Sequence, residues 1–171
     1  MAVTSDELLA FLATEGFATT TIEHPPVFTV EEARSLRGEI SGGHTKNLFL
    51  KDRKGQLFLL VALEDARIDL KSVHALIGAN GKVSFGPADL LVEVWGVQPG
   101  SVTPFGAIND PAGRVTVVLE AEMISHERLN FHPLINTRTT SISSIDLLRF
   151  LRATGHDPLV RGFAAPSPIS G

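Results

Sequence analysis

Cysteine is absent from this chain of 171 residues. That excludes a disulfide framework, a thiolate nucleophile and a thiolate zinc site, and it favours the reducing cytoplasm as the expected location. Long apolar runs are missing too. Nothing approaches the roughly 18 to 20 residues needed to span a bilayer, so no membrane partner is expected. Met1 to Glu7 carries acidic residues and no basic stretch ahead of an apolar core, which predicts no signal peptide. An excess of positive charge is the third absence. With Lys+Arg 15 against Asp+Glu 19 and a formal net charge of −4, the chain is unsuited to coating duplex DNA, whose binding draws on clustered Lys and Arg. Local contact with a few phosphates remains compatible with that balance.

Several catalytic signatures are also lacking. The six histidines include no pair at i, i+4 spacing with an intervening glutamate, so no metal and no cofactor is expected. Gly78-Ala79-Asn80-Gly81-Lys82-Val83-Ser84 shares letters with a phosphate-binding P-loop, but Ser84 does not directly follow the lysine. A Gly-x-Ser-x-Gly elbow is missing, which disfavours a covalent acyl-enzyme.

What is present suits one domain with a real core: 43% apolar residues in 171. Ser5-Asp6-Glu7, then Leu8, Leu9, Phe11 and Leu12, then Gly16 predict a capped amphipathic helix. Thr19 to Ile22 predicts a short strand, and Thr29 with Glu32 forms a capping box for a helix ending near Gly38. Asn47 to Lys51 and Leu57 to Leu63 predict a hairpin turning at Gly55. Asp69 should cap a helix over Leu70, Val73, Leu76 and Ile77, Pro87 opens another through Val94, and Arg114 to Glu120 is a strand. A last helix begins at Ser143 or Ser144, with Ile145, Leu148 and Leu151 on its apolar face and Gly155 as its stop. Residues 164–171 form an expected flexible tail. The uneven mixture of hairpins and helices predicts an α+β fold.

Three segments carry candidate chemistry. Lys46 opens the hairpin directly behind the flexible stretch Ser41 to Thr45, where an ammonium can meet a phosphate or charge developing on a carbonyl oxygen. Taken alone, such a lysine more often blunts a sheet edge in solvent. Asn47 beside it points to the opposite face of the strand, so only one of the two lies squarely in a pocket unless the strand bulges. Gly96 to Gly106 contains three glycines and two prolines, which lets a ligand approach bare amides. Gly100 and Ser101 are placed to stabilise an oxyanion or orient water. Thr103, Pro104 and Phe105 continue that loop as candidate substrate contacts, with the Thr103 hydroxyl available to water or a ribose. Phe131-His132-Pro133-Leu134-Ile135-Asn136-Thr137 adds His132 and Asn136 for a substrate amine or terminal nucleotide. Val27, Phe28, Val30, Phe49 and Phe105 are candidate pocket walls, and equally candidate core.

These segments, in this order with His24-Pro25-Pro26-Val27 and Thr29-Val30-Glu31-Glu32-Ala33 ahead of them, resemble the YbaK-like family of aminoacyl-tRNA editing domains. The extended Phe-His-Pro-Leu-x-Asn-Thr form looks most like the free-standing branch that removes alanine from tRNA(Pro) beside prolyl-tRNA synthetase. The resemblance implies a mixed, largely antiparallel, curved sheet surrounded by helices, with residues 1–163 forming one editing domain. It implies metal-independent water attack helped by the tRNA's own 2′- or 3′-hydroxyl. Lys46 then acts through charge, and the partners are the acceptor end of tRNA(Pro) and, transiently, the synthetase. Cysteinyl-tRNA(Pro) as substrate and a non-catalytic RNA-binding role are the alternatives within the same fold.

Overall fold

A computed structural model describes residues 2–26 and 42–163. The helix expected after Thr29, the wall candidates Val27, Phe28 and Val30, and the expected tail lie outside the described residues.

The sheet forms around the predicted hairpin. Strand β2 (Gly43–Lys51) pairs antiparallel with β3 (Leu57–Leu63) in a register that sets Lys46 opposite Ala62 and Asn47 opposite Val61. Gly55 takes φ +83° in the connecting turn, a conformation a side chain would strain. The turn is pinned by Asp52, whose carboxylate accepts from the backbone of Lys54, Gln56 and Asn80 and from the Asn80 side chain. Burial pushes the Asp52 pKa up, but these hydrogen bonds outweigh it and the net shift is downward. Its stabilisation is therefore present above the ordinary carboxylate pKa and is lost as pH falls through the folded value.

Six further strands complete the sheet: β1 (Thr20–Glu23), β4 (Ser84–Phe85), β5 (Val115–Glu120), β6 (Arg128–Phe131), β7 (Arg138–Ser143) and β8 (Leu159–Arg161). Their order is β1-β7-β6-β2-β3-β5-β8, with β4 also pairing β2. Four pairings are antiparallel (β1 with β7, β2 with β3, β2 with β4, β6 with β7) and three are parallel (β2 with β6, β3 with β5, β5 with β8). The α+β expectation holds, as a mixed eight-stranded sheet with several helices.

Alternation along β2 and β3 sorts the core into two clusters. Phe49, Leu57, Leu59 and Val61 join Leu91, Trp95, Phe105 and Phe150 on one face. Leu50, Phe58, Leu60 and Ala62 join Val73, Ile77 and Phe163 on the other, with Leu48 and Ala66 packed against them. Helix α1 (Ser5–Thr14) is capped by Thr4, one residue earlier than expected: Thr4 and Glu7 exchange backbone and side-chain bonds as a capping box. The helix expected after Asp69 shortens to α2 (His74–Ile77), because the Asp69 carboxylate bonds the Lys71 N–H and the Ser72 hydroxyl and holds a turn instead. Helix α3 (Ala88–Trp95) follows Pro87 and ends at Gly96, φ +73°. A short α4 (Ala121–Ile124) precedes β6. In α5 (Ser144–Ala153), capped by Ser143, the buried face is Leu147, Phe150 and Leu151. Ile145, expected on that face, is 70% exposed, so the apolar stripe is rotated from the expected one.

Candidate functional site

Between its pairing with β6 at residues 43–44 and with β4 at residues 50–51, β2 has no strand neighbour on that side at residues 45–48 among the described residues. Beside this open edge lies a cleft of about 320 Å³ lined by Asn47, Phe49, Phe85, Gly86, Ala88, Leu91, Pro99 and Val102. The lining is apolar but for one group. The Asn47 side chain lines the cleft, and its Oδ1 is buried with no hydrogen-bond partner among the described residues. A buried amide oxygen left unsatisfied costs on the order of 1–3 kcal/mol, and a ligand N–H or ammonium removes that cost.

The strand alternation decides which neighbour enters the cleft. Asn47 and Phe49 share the cleft face. Lys46 is half-buried on the strand's other side, where its Nζ donates to the Ala66 carbonyl. The structure therefore separates Lys46 from Asn47 by the thickness of the strand, at the position where the sheet edge is open.

The glycine-proline loop forms two 3-10 turns, Pro99–Ser101 and Pro104–Asn109. The N–H groups of Ser101, Phe105 and Gly106 are spent inside the loop, on Gln98 O, Thr103 Oγ1 and Thr103 O. Those of Gly100 and Val102 have no partner among the described residues. Gly100 is exposed and Ser101 is buried. A Cβ on Gly100 would lie 3.6 Å from Asn136 Nδ2, so the structure brings Gly100 and Asn136 together beside the Pro99 end of the cleft. An alanine at position 100 fits, whereas the branched side chain of Gly100→Val presses on Asn136. If the hydrolysis implied by the resemblance takes place here, that variant is expected to lose its rate more than RNA binding, measured by single-turnover kinetics and by filter binding. Equal rates would mean that the loop only connects α3 to β5.

Thr103, Pro104 and Phe105 hold the loop from beneath. All three are buried, and the Phe105 ring meets Phe131 and Phe150 edge-on at centroid distances of 6.0 and 5.3 Å. The ligand-contact role expected for them gives way to a scaffold role, because each is sealed from solvent. The Trp95 Nε1 donates to Thr103 O at 2.7 Å, and the Gly106 backbone lies so close to the indole that a Cβ would fall 2.1 Å from it. Behind Trp95, the buried His156 bonds Asp110 at 2.9 Å, and Asp110 also accepts from the Arg114 and Val115 N–H groups. Gly106→Ala should therefore lower stability by roughly 1–3 kcal/mol through overpacking, read as a shift in the urea midpoint. An unchanged midpoint would show that the indole yields freely.

His132 directly follows β6, and its Nδ1 donates to the Arg138 carbonyl at 2.9 Å, which leaves Nε2 as an acceptor. Burial pushes its pKa down, the Arg138 carbonyl partly restores it, and His24, at a ring distance of 6.3 Å, lowers it again. His24 itself bonds Thr139 Oγ1 and Pro25 O. The chain between His132 and Asn136 is strained: Leu134, at φ +72°, is the one non-glycine at positive φ among the described residues, a conformation costing about 1–3 kcal/mol. With a folded pKa below the unfolded value of about 6.5, the His132 contribution to stability is present above that value and is lost as pH falls through it. The stability gap between wild type and His132→Asn should thus narrow from pH 7.5 to pH 5 in urea titrations. A gap independent of pH would remove the imidazole from this linkage.

Among the described residues no group of three or more His, Cys, Asp or Glu is arranged to hold a metal ion. The hydrolysis implied by the family resemblance is expected to persist in EDTA. Loss restored by zinc would contradict that.

An α+β domain that sets a small, nearly apolar cleft with one unsatisfied amide oxygen at a sheet edge defines a small-ligand site. The family model described as the aminoacyl-tRNA editing domain matches residues 24–150, and the chain belongs to that family. It is 40% identical over 159 residues to the "Prolyl-tRNA synthetase associated domain-containing protein 1" of Danio rerio, covering 92% of this chain and 86% of that one. It is 38% identical over 138 residues to the "Prolyl-tRNA editing protein ProX" of Acetoanaerobium sticklandii, covering 80% of this chain and 84% of that one. A protein crystallised as a candidate trans-editing enzyme for prolyl tRNA synthetase superposes with a TM-score of 0.71 at 21% identity, over 97% of this chain and all of its own, a likeness of fold.

Phe85, Gly86 and Leu91 line the cleft without having been legible as site residues. Gly86 is flush against Phe49, where a Cβ would fall 2.5 Å from the ring. Its sequence signal was the Gly-Pro pair ahead of α3, which marks a helix start and says nothing of what lies beneath it.

Proposed function

We propose that this domain hydrolyses the ester of mischarged alanyl-tRNA(Pro), acting in trans on the acceptor end and meeting prolyl-tRNA synthetase transiently. The observation that carries the reading is the Asn47 Oδ1, buried and unpartnered in a cleft of about 320 Å³ at an open strand edge. An alanyl ester supplies what this place lacks: an α-ammonium to donate to Asn47 and a methyl group to meet Phe49, Leu91 and Val102. The names of the relatives support the prolyl-tRNA context.

Water adds to the ester carbonyl carbon, the carbonyl oxygen takes the negative charge, and the tetrahedral species collapses to alanine and a free ribose hydroxyl, which keeps the proton given up by water. The Gly100 and Val102 N–H groups are the preorganised donors for that oxygen. Asn136 flanks Gly100, and His132 offers Nε2 to a ribose hydroxyl. Lys46 leaves the Ala66 carbonyl and turns around the unpaired edge of β2 to face the developing charge or the terminal phosphate, acting by charge alone.

The proposal includes a size filter. A prolyl ring closes onto the amine, removes one N–H donor from it and adds methylenes against the cleft wall, while a methyl group fits. Discrimination by such a pocket is worth about 1–3 kcal/mol per methylene. Hydrolysis of alanyl-tRNA(Pro) by the purified full chain tests the reading.

A further inference from the structure

Gly86 directly follows β4, and nothing in its own backbone calls for glycine. Its φ lies outside the left-handed region, so a residue with a side chain could adopt the same conformation. What forbids one is Phe49. A Cβ at position 86 would fall 2.5 Å from both Cδ2 and Cε2 of that ring, well inside the roughly 3.5–4.0 Å at which packed carbons rest. The backbone is not free to give way instead, because the Gly86 N–H donates to the Phe49 carbonyl at 2.9 Å and Pro87 behind it opens α3. The pairs Phe85 with Leu50 and Ser84 with Lys51 hold the same register. Gly86 and Phe49 both line the cleft. Phe49 is otherwise sealed, 4% exposed in the core cluster with Leu57, Leu59 and Leu91. A ring pushed away from position 86 therefore meets packed side chains on its core side, and the open space left to it is the cleft.

We propose that Gly86 is a specificity-determining residue: by leaving room for the Phe49 ring, it sets how large a side chain the cleft admits beside Asn47. This rests on the editing reading of the cleft. An α-ammonium is common to glycyl, alanyl and longer aliphatic esters, so Asn47 does not tell them apart. The side chain alone differs, and the wall reads it. Close-packed interiors register a change of one methylene, and a pocket converts that into roughly tenfold or more in rate. Enlarging residue 86 moves the ring into the cleft and lowers the size limit, whereas trimming residue 49 raises it. The two changes fall on opposite sides of one contact, so they are coupled and should cancel when combined.

The test compares single-turnover cleavage of glycyl-, alanyl- and 2-aminobutyryl-tRNA(Pro) by the full chain, a series that adds one carbon to the side chain at each step. Gly86→Ala should lower the ratio of 2-aminobutyryl to alanyl cleavage roughly tenfold or more, and the ratio of alanyl to glycyl cleavage should fall with it. Phe49→Leu should raise the first ratio by a similar factor. Gly86→Ala combined with Phe49→Leu should return it to near the wild-type value. A glycine needed only for packing would slow all three esters alike, and unchanged ratios in Gly86→Ala and Phe49→Leu would overturn the proposal. Phe49→Leu keeps Gly86 and fills less volume, so its ratios decide the matter even where Gly86→Ala does not fold. Unchanged ratios beside wild-type hydrolysis of alanyl-tRNA(Pro) would leave the editing reading standing. Wild type that cleaves none of the three esters would sink both.

Discussion

Replacing Lys46 by alanine is expected to slow single-turnover deacylation of alanyl-tRNA(Pro) by roughly a hundred- to a thousandfold, the scale of a lost oxyanion donor. Folding should be spared. The ammonium reaches one backbone carbonyl, that of Ala66, which water can satisfy when the side chain is gone, and the residue is half-buried at a strand edge. Its partner across the hairpin, Ala62, leaves little to repack. Lys46→Arg keeps the charge but carries it on a planar fork that cannot be placed as a point, so it should recover part of the rate. An unchanged rate in Lys46→Ala would confine the residue to bracing the turn at Ala66.

Asn47→Ala should cost roughly ten- to a hundredfold, through substrate affinity as well as rate, because it removes the acceptor for a charged amine, and hydrogen bonds to charged groups contribute about 1.5–3 kcal/mol. The variant should be no less stable than wild type, since the Oδ1 it deletes is already unsatisfied. That combination separates a binding role from a structural one. A structural asparagine would lose stability on truncation, whereas a group poised for a ligand loses activity at constant or improved stability. Asn47→Ala that is unfolded, or fully active, would contradict the role.

Much of the frame was legible because its signals are local. Gly55 between two β-type runs marked the hairpin, Ser143 and Pro87 marked helix starts, and Gly16 and Gly155 marked helix ends, both at positive φ. What escaped was non-local or polar. Strand β7 has Ile142 as its one apolar residue, so no alternation announces it, β6 alternates over only the four residues Arg-Leu-Asn-Phe, and the parallel pairing of β3 with β5 joins segments that nothing in their own letters connects. The site divides the same way. Alternation established that Lys46 and Asn47 face opposite sides, but which side holds the cleft depends on where the Gly96 to Gly106 loop lands, and that is fixed by Trp95 holding Thr103 and abutting Gly106. The same contact explains why Thr103 and Phe105, reasonable as loop residues open to a ligand, are buried instead. Phe85 gave no signal at all, since an exposed phenylalanine and a core one read alike.

The most direct measurement is the ratio of single-turnover cleavage rates for alanyl- and prolyl-tRNA(Pro) made on the same tRNA, with cysteinyl-tRNA(Pro) as a third substrate. A size-filtering editor predicts rapid loss of alanine, with proline spared by at least tenfold, the lower end of what one methylene in a pocket discriminates. Comparable rates for alanine and proline would contradict the filter, and preferential cleavage of the cysteinyl ester would reassign the substrate.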